Sequence, residues 1–163
     1  MIYVTVGTMF LDFPRLTNAM DAIARDTGEQ VIIQTGMGNT LPQHCEHFAF
    51  KPREEVMEIQ RNARVVVCHA GIGCVSDALR MKRPLIVVPR LKRYNEHMND
   101  HQLELARAVE ARGWGRVIQD VRDLPQACAN PPRVHENYMP ANAPLIADIK
   151  TFIDNIAARK PST

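Results

Sequence analysis

A glycine turn near the middle of the chain carries the residue pattern best suited to chemistry. His69-Ala70-Gly71-Ile72-Gly73 follows an apolar run and opens a helical pattern. The start of a helix presents unpaired backbone N–H groups and the positive end of the helix dipole, so phosphate is its natural ligand. Gly71 and Gly73 would let the backbone approach a ligand that a Cβ atom would exclude. Asp77, about one turn into the helix, could accept hydrogen bonds from ribose hydroxyls.

A polar loop after the next apolar run is the second candidate for chemistry. It contains Asn95, Glu96, His97, Asn99, Asp100, His101 and Gln102. A single domain rarely places so many polar side chains beside a glycine turn for packing alone, so we expect the loop and the turn to line one site. In the alternative interpretation, Gly71 and Gly73 serve only a tight turn between strand and helix.

A dinucleotide site is the main rival interpretation of the turn. The run from Gly71 to Ser76 is one residue short of the G-x-G-x-x-G/A fingerprint. That fingerprint expects an acidic residue about 20 positions later, where this chain has Pro89-Arg90. The turn also follows about the fourth predicted strand instead of the first. These departures disfavour a nicotinamide or flavin enzyme.

Metal and nucleophile chemistry have weaker support. His97 and His101 are four residues apart and would share a helix face, but no Glu follows the first His and no third ligand is apparent. The chain also lacks an Asp-x-Asp pair that could hold a divalent ion on a nucleotide sugar. We therefore expect no metal, and we expect Cys68 and Cys74 to be inert.

Basic residues surround this central region. They are Arg80, Lys82, Arg83, Arg90, Lys92 and Arg93. Such a group usually forms a solvated surface. The alternative is that Arg90, Lys92 or Arg93 meets a ligand phosphate, an acidic sugar or an anionic lipid headgroup.

Apolar runs and amphipathic segments alternate along the chain and would position these residues. The patterns predict strands at about 2–6, 30–36, 47–50, 65–68, 84–89 and 115–118, and helices at about 13–25, 52–62, 75–80 and 101–112. This alternation predicts an α/β fold, with a Rossmann-like parallel sheet flanked by helices.

The predicted organisation is a single domain over residues 1–163. Its core covers about 1–128, and repeated prolines from Pro125 onward predict an extended connection over 129–143. A final amphipathic helix is predicted over 144–158. This helix either packs back on the sheet or offers apolar surface to a partner subunit.

Composition limits the classes of function. The chain is 45% hydrophobic with a formal net charge of +2, which fits one domain with a core and argues against nucleic acid as a partner. Its four cysteines have no zinc-site spacing, so we expect reduced thiols and a cytoplasmic location. The chain has no signal-like leader and no apolar run of membrane-spanning length, so we expect any membrane association to come from a partner or a surface.

Several motifs together resemble one known family. They are Val4-Thr5-Val6-Gly7-Thr8, Gln34-Thr35-Gly36, His69-Ala70-Gly71-Ile72-Gly73, Pro84-Leu85-Ile86-Val87-Val88-Pro89, and the run from Glu96 to Leu103. Over about residues 1–120, the chain resembles the C-terminal, donor-binding domain of family 28 glycosyltransferases. It is most similar to PssE-type proteins of bacterial polysaccharide synthesis. Those proteins are similar to the catalytic subunit of the two-part eukaryotic enzyme that adds the second N-acetylglucosamine to the dolichol-linked oligosaccharide.

The resemblance implies a single GT-B C-terminal-type domain and an inverting, metal-independent transfer from a UDP-sugar, with no cofactor. It implies a separate, membrane-anchored PssD-like subunit and a lipid-linked saccharide acceptor. The protein would then be cytoplasmic and peripheral at the inner face of the cytoplasmic membrane. A non-catalytic UDP-sugar-binding regulatory module of a polysaccharide synthesis complex is the alternative, and glucuronic acid, N-acetylglucosamine and glucose are all compatible donor sugars.

The resemblance also implies roles for individual residues. Asp77 stands where MurG-type enzymes carry a ribose-binding Glu, and it is one methylene shorter. His101 and Gln102 match the pair that contacts the donor sugar. The full donor-binding set is Gly7, Thr8, Gly36, His69, Ala70, Gly71, Ile72, Gly73, Asp77, Asn99, Asp100, His101 and Gln102. His69 and His101 are the catalytic candidates on this chain, although the base may come from the partner.

Overall fold

Six parallel strands form one sheet in a computed structural model that describes residues 1–136 and Tyr138. The strands are β1 (Ile2–Thr5), β2 (Val31–Gln34), β3 (Glu46–Phe48), β4 (Val65–Cys68), β5 (Leu85–Val87) and β6 (Arg116–Val117). Their order across the sheet is β3-β2-β1-β4-β5-β6. Val, Ile and Leu dominate the central strands because both faces of a parallel sheet are covered.

Within the described residues, five α-helices cover the two faces. They are α1 (Pro14–Thr27), α2 (Arg53–Asn62), α3 (Ile72–Arg80), α4 (Gln102–Ala111) and α5 (Leu124–Ala129). Helices α1 and α5 pack on one face, and α2, α3 and α4 contribute to the core on the other. The predicted parallel sheet flanked by helices is therefore confirmed.

The alternation of side chains along each strand divides the core into two layers. Ile2 and Val4 of β1 face α1, whereas Tyr3 between them faces the layer that contains α2, α3 and α4. Phe13 and Leu16 fill the first layer and are fully buried. The two layers hold the sheet rigid beneath the loops at its carboxyl edge.

The central strands pair in register, which sets the position of the candidate site. Thr5, the last residue of β1, pairs with Gln34 of β2 and with Cys68 of β4. After β1 the chain turns toward β2, and after β4 it turns toward β5, so the two connections leave in opposite directions. Such a reversal opens a crevice outside the carboxyl ends of the strands, where ligands of open α/β sheets bind.

The region after β6 departs from the prediction. Pro125 does not break the chain there, because it occupies the first turn of α5, where its missing N–H leaves no helical hydrogen bond unmade. Residues 131–136 and Tyr138 have no regular secondary structure, and the rest of the predicted connection and the predicted helix at 144–158 lie outside the described residues. Within the described part, no helix is long and apolar enough to cross a membrane.

Helix α5 provides a test of the first core layer. Leu124 is fully buried there, so Leu124→Ala should lower the free energy of unfolding by about 2–5 kcal/mol because it leaves a cavity. Gln126→Ala, at an exposed position of the same helix, should change it by less than about 0.5 kcal/mol. Urea denaturation of both variants checks this, and equal effects would contradict the packing of α5.

Candidate functional site

Two cavities open at the carboxyl edge of the sheet, on either side of the turn that precedes α3. The α4 cavity, about 520 Å³, is lined by Thr8, Met9, His69, Ala70, Gly71, Ile72, His97, His101, Gln102, Glu104 and Leu105. The α2 cavity, about 490 Å³, is lined by Tyr3, Thr5, Gly7, Thr8, Gln34, Phe50, Lys51, Arg53, Val56, Gln60, His69, Gly71, Gly73, Cys74 and Asp77. Thr8, His69 and Gly71 line both, so the cavities are two ends of one crevice.

The imidazole of His69 lies between two glycines at the centre of this crevice. A Cβ atom on Gly7 would come within 2.5 Å of the His69 ring, and one on Gly71 would also clash with it. Gly7 further requires its backbone φ of +86°, which disfavours other residues. Gly71 therefore makes room for a protein side chain, and the prediction that it is needed for close approach of a ligand is not supported by its surroundings.

Gly73 differs from Gly71 because the space that a side chain would occupy at Gly73 is empty. No atom lies within 4 Å of a Cβ atom built at this position, although Gly73 lines the α2 cavity. It belongs to the first turn of α3, where the N–H groups of Ile72 and Gly73 have no hydrogen-bond partner among the described residues. The first turn of α3 thus offers free donors and the positive end of a helix dipole to a ligand.

Asp77 lines the α2 cavity, and one of its two carboxylate oxygens already accepts a hydrogen bond. Its Oδ1 accepts a hydrogen bond of 3.0 Å from an Nη atom of Arg53, an exposed residue at the start of α2. No partner of Oδ2 is found among the described residues. One carboxylate oxygen is therefore available to a ligand hydroxyl.

The floor of the α2 cavity is a chain of hydrogen bonds from the sheet. Tyr3 and Thr5 both donate to Oε1 of Gln34, at 3.0 and 2.9 Å, and Thr5 accepts from the N–H of Gly7. Burial raises the pKa of Tyr3 well above its ordinary value, so this hydroxyl keeps its proton. The floor is a neutral polar surface that suits an uncharged ligand group.

The predicted sugar-contacting pair lies at the start of α4. Nδ1 of His101 hydrogen-bonds Oδ1 of Asn99, which orients the imidazole ring at the start of α4. The rings of His97 and His101 meet edge to face with centroids 4.4 Å apart. Burial and the neighbouring His101 lower the pKa of His97. Within the described residues, no group of three or more His, Cys, Asp or Glu side chains is placed to hold a metal.

Ten of the thirteen predicted donor-binding residues line the crevice. Gly36, Asn99 and Asp100 do not line either cavity. Asn99 orients His101, and Asp100 accepts a hydrogen bond from the N–H of Lys92 at 2.8 Å. Gly36 packs directly against the carbonyl of Gly7, where a Cβ atom would clash. These three residues shape the neighbouring loops.

Arg90 does not belong to the solvated basic surface that the sequence suggests. It is 1% exposed, and its guanidinium donates to backbone carbonyls of the loop after β1 and of the loop after β5. It lines neither cavity, so the alternative prediction that Arg90 meets a ligand phosphate is also wrong. Lys92 and Arg93 are exposed on the same loop.

Cys74, which the sequence analysis expects to be inert, is in contact with the ring of His69. It lies in the first turn of α3 with its Sγ 3.4 Å from Nδ1 of His69. A hydrogen bond from Cys68 and the contact with His69 outweigh burial and lower the pKa of Cys74 to about 5. Cys68, fully buried behind it, has a raised pKa.

Some lining residues were missing from the predicted donor-binding set, although one of them, His97, belongs to the polar loop that was expected to line the site. They are Met9, His97, Glu104 and Leu105 in the α4 cavity, and Tyr3, Thr5, Gln34, Phe50, Lys51, Arg53, Val56, Gln60 and Cys74 in the α2 cavity. Phe50 and Arg53 follow β3, so the rule that carboxyl ends of parallel strands share one edge could have found them. Gln60 and Tyr3 gave no signal of this kind, because a buried polar residue in a helix or strand has no distinctive motif.

Comparison with known proteins agrees with this geometry. Residues 1–129 match the model of the glycosyltransferase family 28 C-terminal domain. The human UDP-N-acetylglucosamine transferase subunit ALG13 is 31% identical over 121 residues, which cover 69% of this chain and 10% of that protein. The ALG13 subunit of Eremothecium gossypii is 42% identical over 89 residues, covering 53% of this chain and 40% of that protein. The chain thus spans from a tenth to two fifths of these relatives.

Solved structures agree at the level of the fold. The calicheamicin glycosyltransferase CalG4 superimposes with a TM-score of 0.60 at 20% identity, over 80% of this chain and 34% of that chain. A solution structure of ALG13 gives a TM-score of 0.56 at 18% identity, over 83% of this chain and 90% of that chain. These likenesses confirm the predicted GT-B C-terminal-type fold. The match over most of its length shows that the chain belongs to glycosyltransferase family 28, as a C-terminal domain of that family.

Proposed function

We propose that this chain is the donor-binding subunit of a UDP-sugar glycosyltransferase. The transfer is inverting and metal-independent, and it takes place with a membrane-anchored, PssD-like partner on a lipid-linked saccharide acceptor in polysaccharide biosynthesis. In this proposal the protein is cytoplasmic and reaches the inner face of the membrane through that partner. Its relatives named as UDP-N-acetylglucosamine transferase subunits support a role as one part of a larger enzyme.

The observation that carries the proposal is the pair of cavities on either side of the first turn of α3. A nucleotide sugar has a nucleoside at one end, a sugar at the other and a diphosphate between them. The α2 cavity contains Asp77 for the ribose hydroxyls, and the α4 cavity contains His101 and Gln102 for the sugar. The unpaired N–H groups of Ile72 and Gly73 lie between the two and suit the diphosphate.

The same turn explains how the chain would assist transfer. When the bond between sugar and diphosphate breaks, negative charge develops on the departing UDP. Backbone donors and a helix dipole that are already fixed at that position stabilise this charge without reorganising. No step assigned to this chain requires a metal ion.

The catalytic base is assigned to the partner, with His101 as the candidate on this chain. The ring of His69 is enclosed by Gly7 and Gly71 and contacts Cys74, which suits a supporting role. Nε2 of His101 has no hydrogen-bond partner among the described residues, and His101 lines the α4 cavity, so a neutral ring could accept a proton there. An acceptor hydroxyl brought by the partner would meet the sugar from this side.

The rim of the α4 cavity is suited to covering by another protein. Phe10, Ile72 and Met98 are large apolar residues on two loops and at the start of α3, and they are 63%, 67% and 66% exposed. Ile72 lines the cavity, and Phe10 and Met98 each directly follow a residue that lines it. Apolar side chains grouped around a polar crevice are typical of an interaction surface. They support the proposal that the acceptor-binding partner closes this crevice.

Donor binding is tested by substitution in each cavity. Asp77→Ala and Gln102→Ala should each weaken UDP-sugar binding by roughly tenfold, because each removes a hydrogen bond worth about 1–1.5 kcal/mol. Isothermal titration calorimetry measures the affinity, and thermal melting shows that the variants fold. Asp26→Ala and Gln126→Ala, at exposed positions away from the crevice, are the matched controls. Unchanged UDP-sugar affinity in both folded variants would refute the assignment.

Substitutions at Gly71 and Gly73 should distinguish an effect on folding from an effect on ligand binding. Gly73→Ala should leave the melting temperature unchanged, since nothing surrounds the new methyl group, but should weaken UDP binding at least fivefold because that methyl group enters the space for the diphosphate. Gly71→Ala should instead lower the melting temperature, since the methyl group clashes with His69. Differential scanning fluorimetry with and without UDP measures both effects. Full UDP affinity in Gly73→Ala would place the diphosphate elsewhere.

Catalysis is tested with the partner present. Membranes that contain both the chain and its partner should incorporate sugar from a labelled UDP-sugar, whereas the purified chain alone should bind donor and transfer little. Absence of incorporation with a folded partner and bound donor would favour the regulatory module. Donors of glucuronic acid, N-acetylglucosamine and glucose are compared in the same assay.

A further inference from the structure

A buried cluster of charged residues lies directly behind the α4 cavity without lining it. Its members are Arg15, Arg90 and Glu96, and Arg90 and Glu96 are each 1% exposed. Nη1 of Arg90 donates to the carbonyls of Leu11, Asp12 and Glu96 at 2.8, 3.0 and 3.0 Å. Its Nη2 donates to the carbonyl of Val6 at 2.7 Å. One side chain therefore ties the loop after β1 to the loop after β5.

Glu96 completes the cluster from within the polar loop. Its carboxylate accepts two hydrogen bonds from Arg15 of α1, at 2.9 and 2.8 Å, and one from the N–H of Leu91. Arg15 also donates to the carbonyl of Pro89. The loop that carries the predicted sugar-contacting residues is therefore fixed at its beginning by a bidentate ion pair.

The cluster is connected to the α4 cavity through Gln102. The backbone N–H of Arg90 donates to Oε1 of Gln102 at 3.0 Å. Gln102 is 4% exposed and lines the cavity, and its Nε2 has no partner among the described residues. The contact with Arg90 thus fixes which end of the amide faces the cavity, and that end is a hydrogen-bond donor.

Stability alone does not account for this arrangement. Burial lowers the pKa of Arg90, which reflects the cost of holding its charge away from water, and its buried Nε finds no partner among the described residues. Apolar residues of similar volume often stabilise a protein at least as well as a buried ion pair. Apolar residues cannot replace the guanidinium in one respect, because it donates to four carbonyls from two loops in one fixed geometry.

We propose that Arg90, held with Glu96 and Arg15, is a positioning residue for the donor sugar, which it serves by fixing Gln102 and its loop against the end of β1. This inference rests on the proposed function, since it assigns the sugar to the α4 cavity. Arg90 itself does not touch the ligand. The α2 cavity has none of these three residues in its lining, so the nucleoside end of the donor is independent of the cluster.

The test compares UDP with UDP-sugars on the intact chain. Arg90→Lys keeps the charge but cannot reach four carbonyls, so the ratio of the UDP-sugar Kd to the UDP Kd should rise at least fivefold, with the UDP Kd changed less than twofold. Arg107→Lys, at an exposed position of α4, is the matched control. Calorimetry with UDP, UDP-N-acetylglucosamine, UDP-glucose and UDP-glucuronic acid supplies the ratios, and a loss of stability alone would not change them.

Two further variants keep the inference falsifiable if Arg90→Lys does not fold. Arg15→Lys breaks the bidentate contact with Glu96 at a less buried position and should raise the same ratio. Gln102→Glu keeps an oxygen that accepts from the N–H of Arg90 but replaces the donor Nε2 with a second oxygen. This variant should also raise the ratio of the UDP-sugar Kd to the UDP Kd. An unchanged ratio in folded variants, or an equal loss of UDP and UDP-sugar affinity, would overturn the inference. A wild-type chain that binds neither ligand would instead overturn the proposed function.

Discussion

The parallel pairing of β1 with β4 is the constraint on which the rest of this structure depends. Residues 2–5 of β1 pair in register with residues 65–68 of β4, so the two strands end side by side while their connections leave in opposite directions. The crevice exists because no connection crosses that point. Helix α3 begins beside it, and its free N–H groups consequently face the crevice instead of solvent or core.

Within the crevice, the glycines have two different surroundings that a sequence motif cannot distinguish. Gly7 and Gly71 leave room for the ring of His69, whereas the space beside Gly73 is open within the described structure. The His69 ring thereby separates the crevice into the α2 and α4 cavities while lining both. A ligand with a polar group at each end and an anionic middle is the kind of molecule that fits this division.

Buried charge joins the loops around the crevice. Arg90, Glu96 and Arg15 join the loops after β1 and β5 through backbone carbonyls and an ion pair. This connection lets the rim keep exposed apolar residues such as Phe10 and Met98, because the loops do not need those side chains to hold their shape. Polar support thus lies behind an apolar rim.

The sequence by itself determined the fold class, the parallel sheet and the location of the candidate site. Apolar runs interrupted by amphipathic segments specify parallel strands, and the turn at residues 69–73 marks a ligand-facing edge through local chemistry alone. Tertiary structure decided what each residue does there. Arg90 is a buried support because carbonyls from segments some 80 positions away in sequence surround its guanidinium, and Pro125 begins a helix because Leu124 packs on the core. Contacts between residues so distant in sequence leave no periodic or local signal, so only the folded chain reveals them.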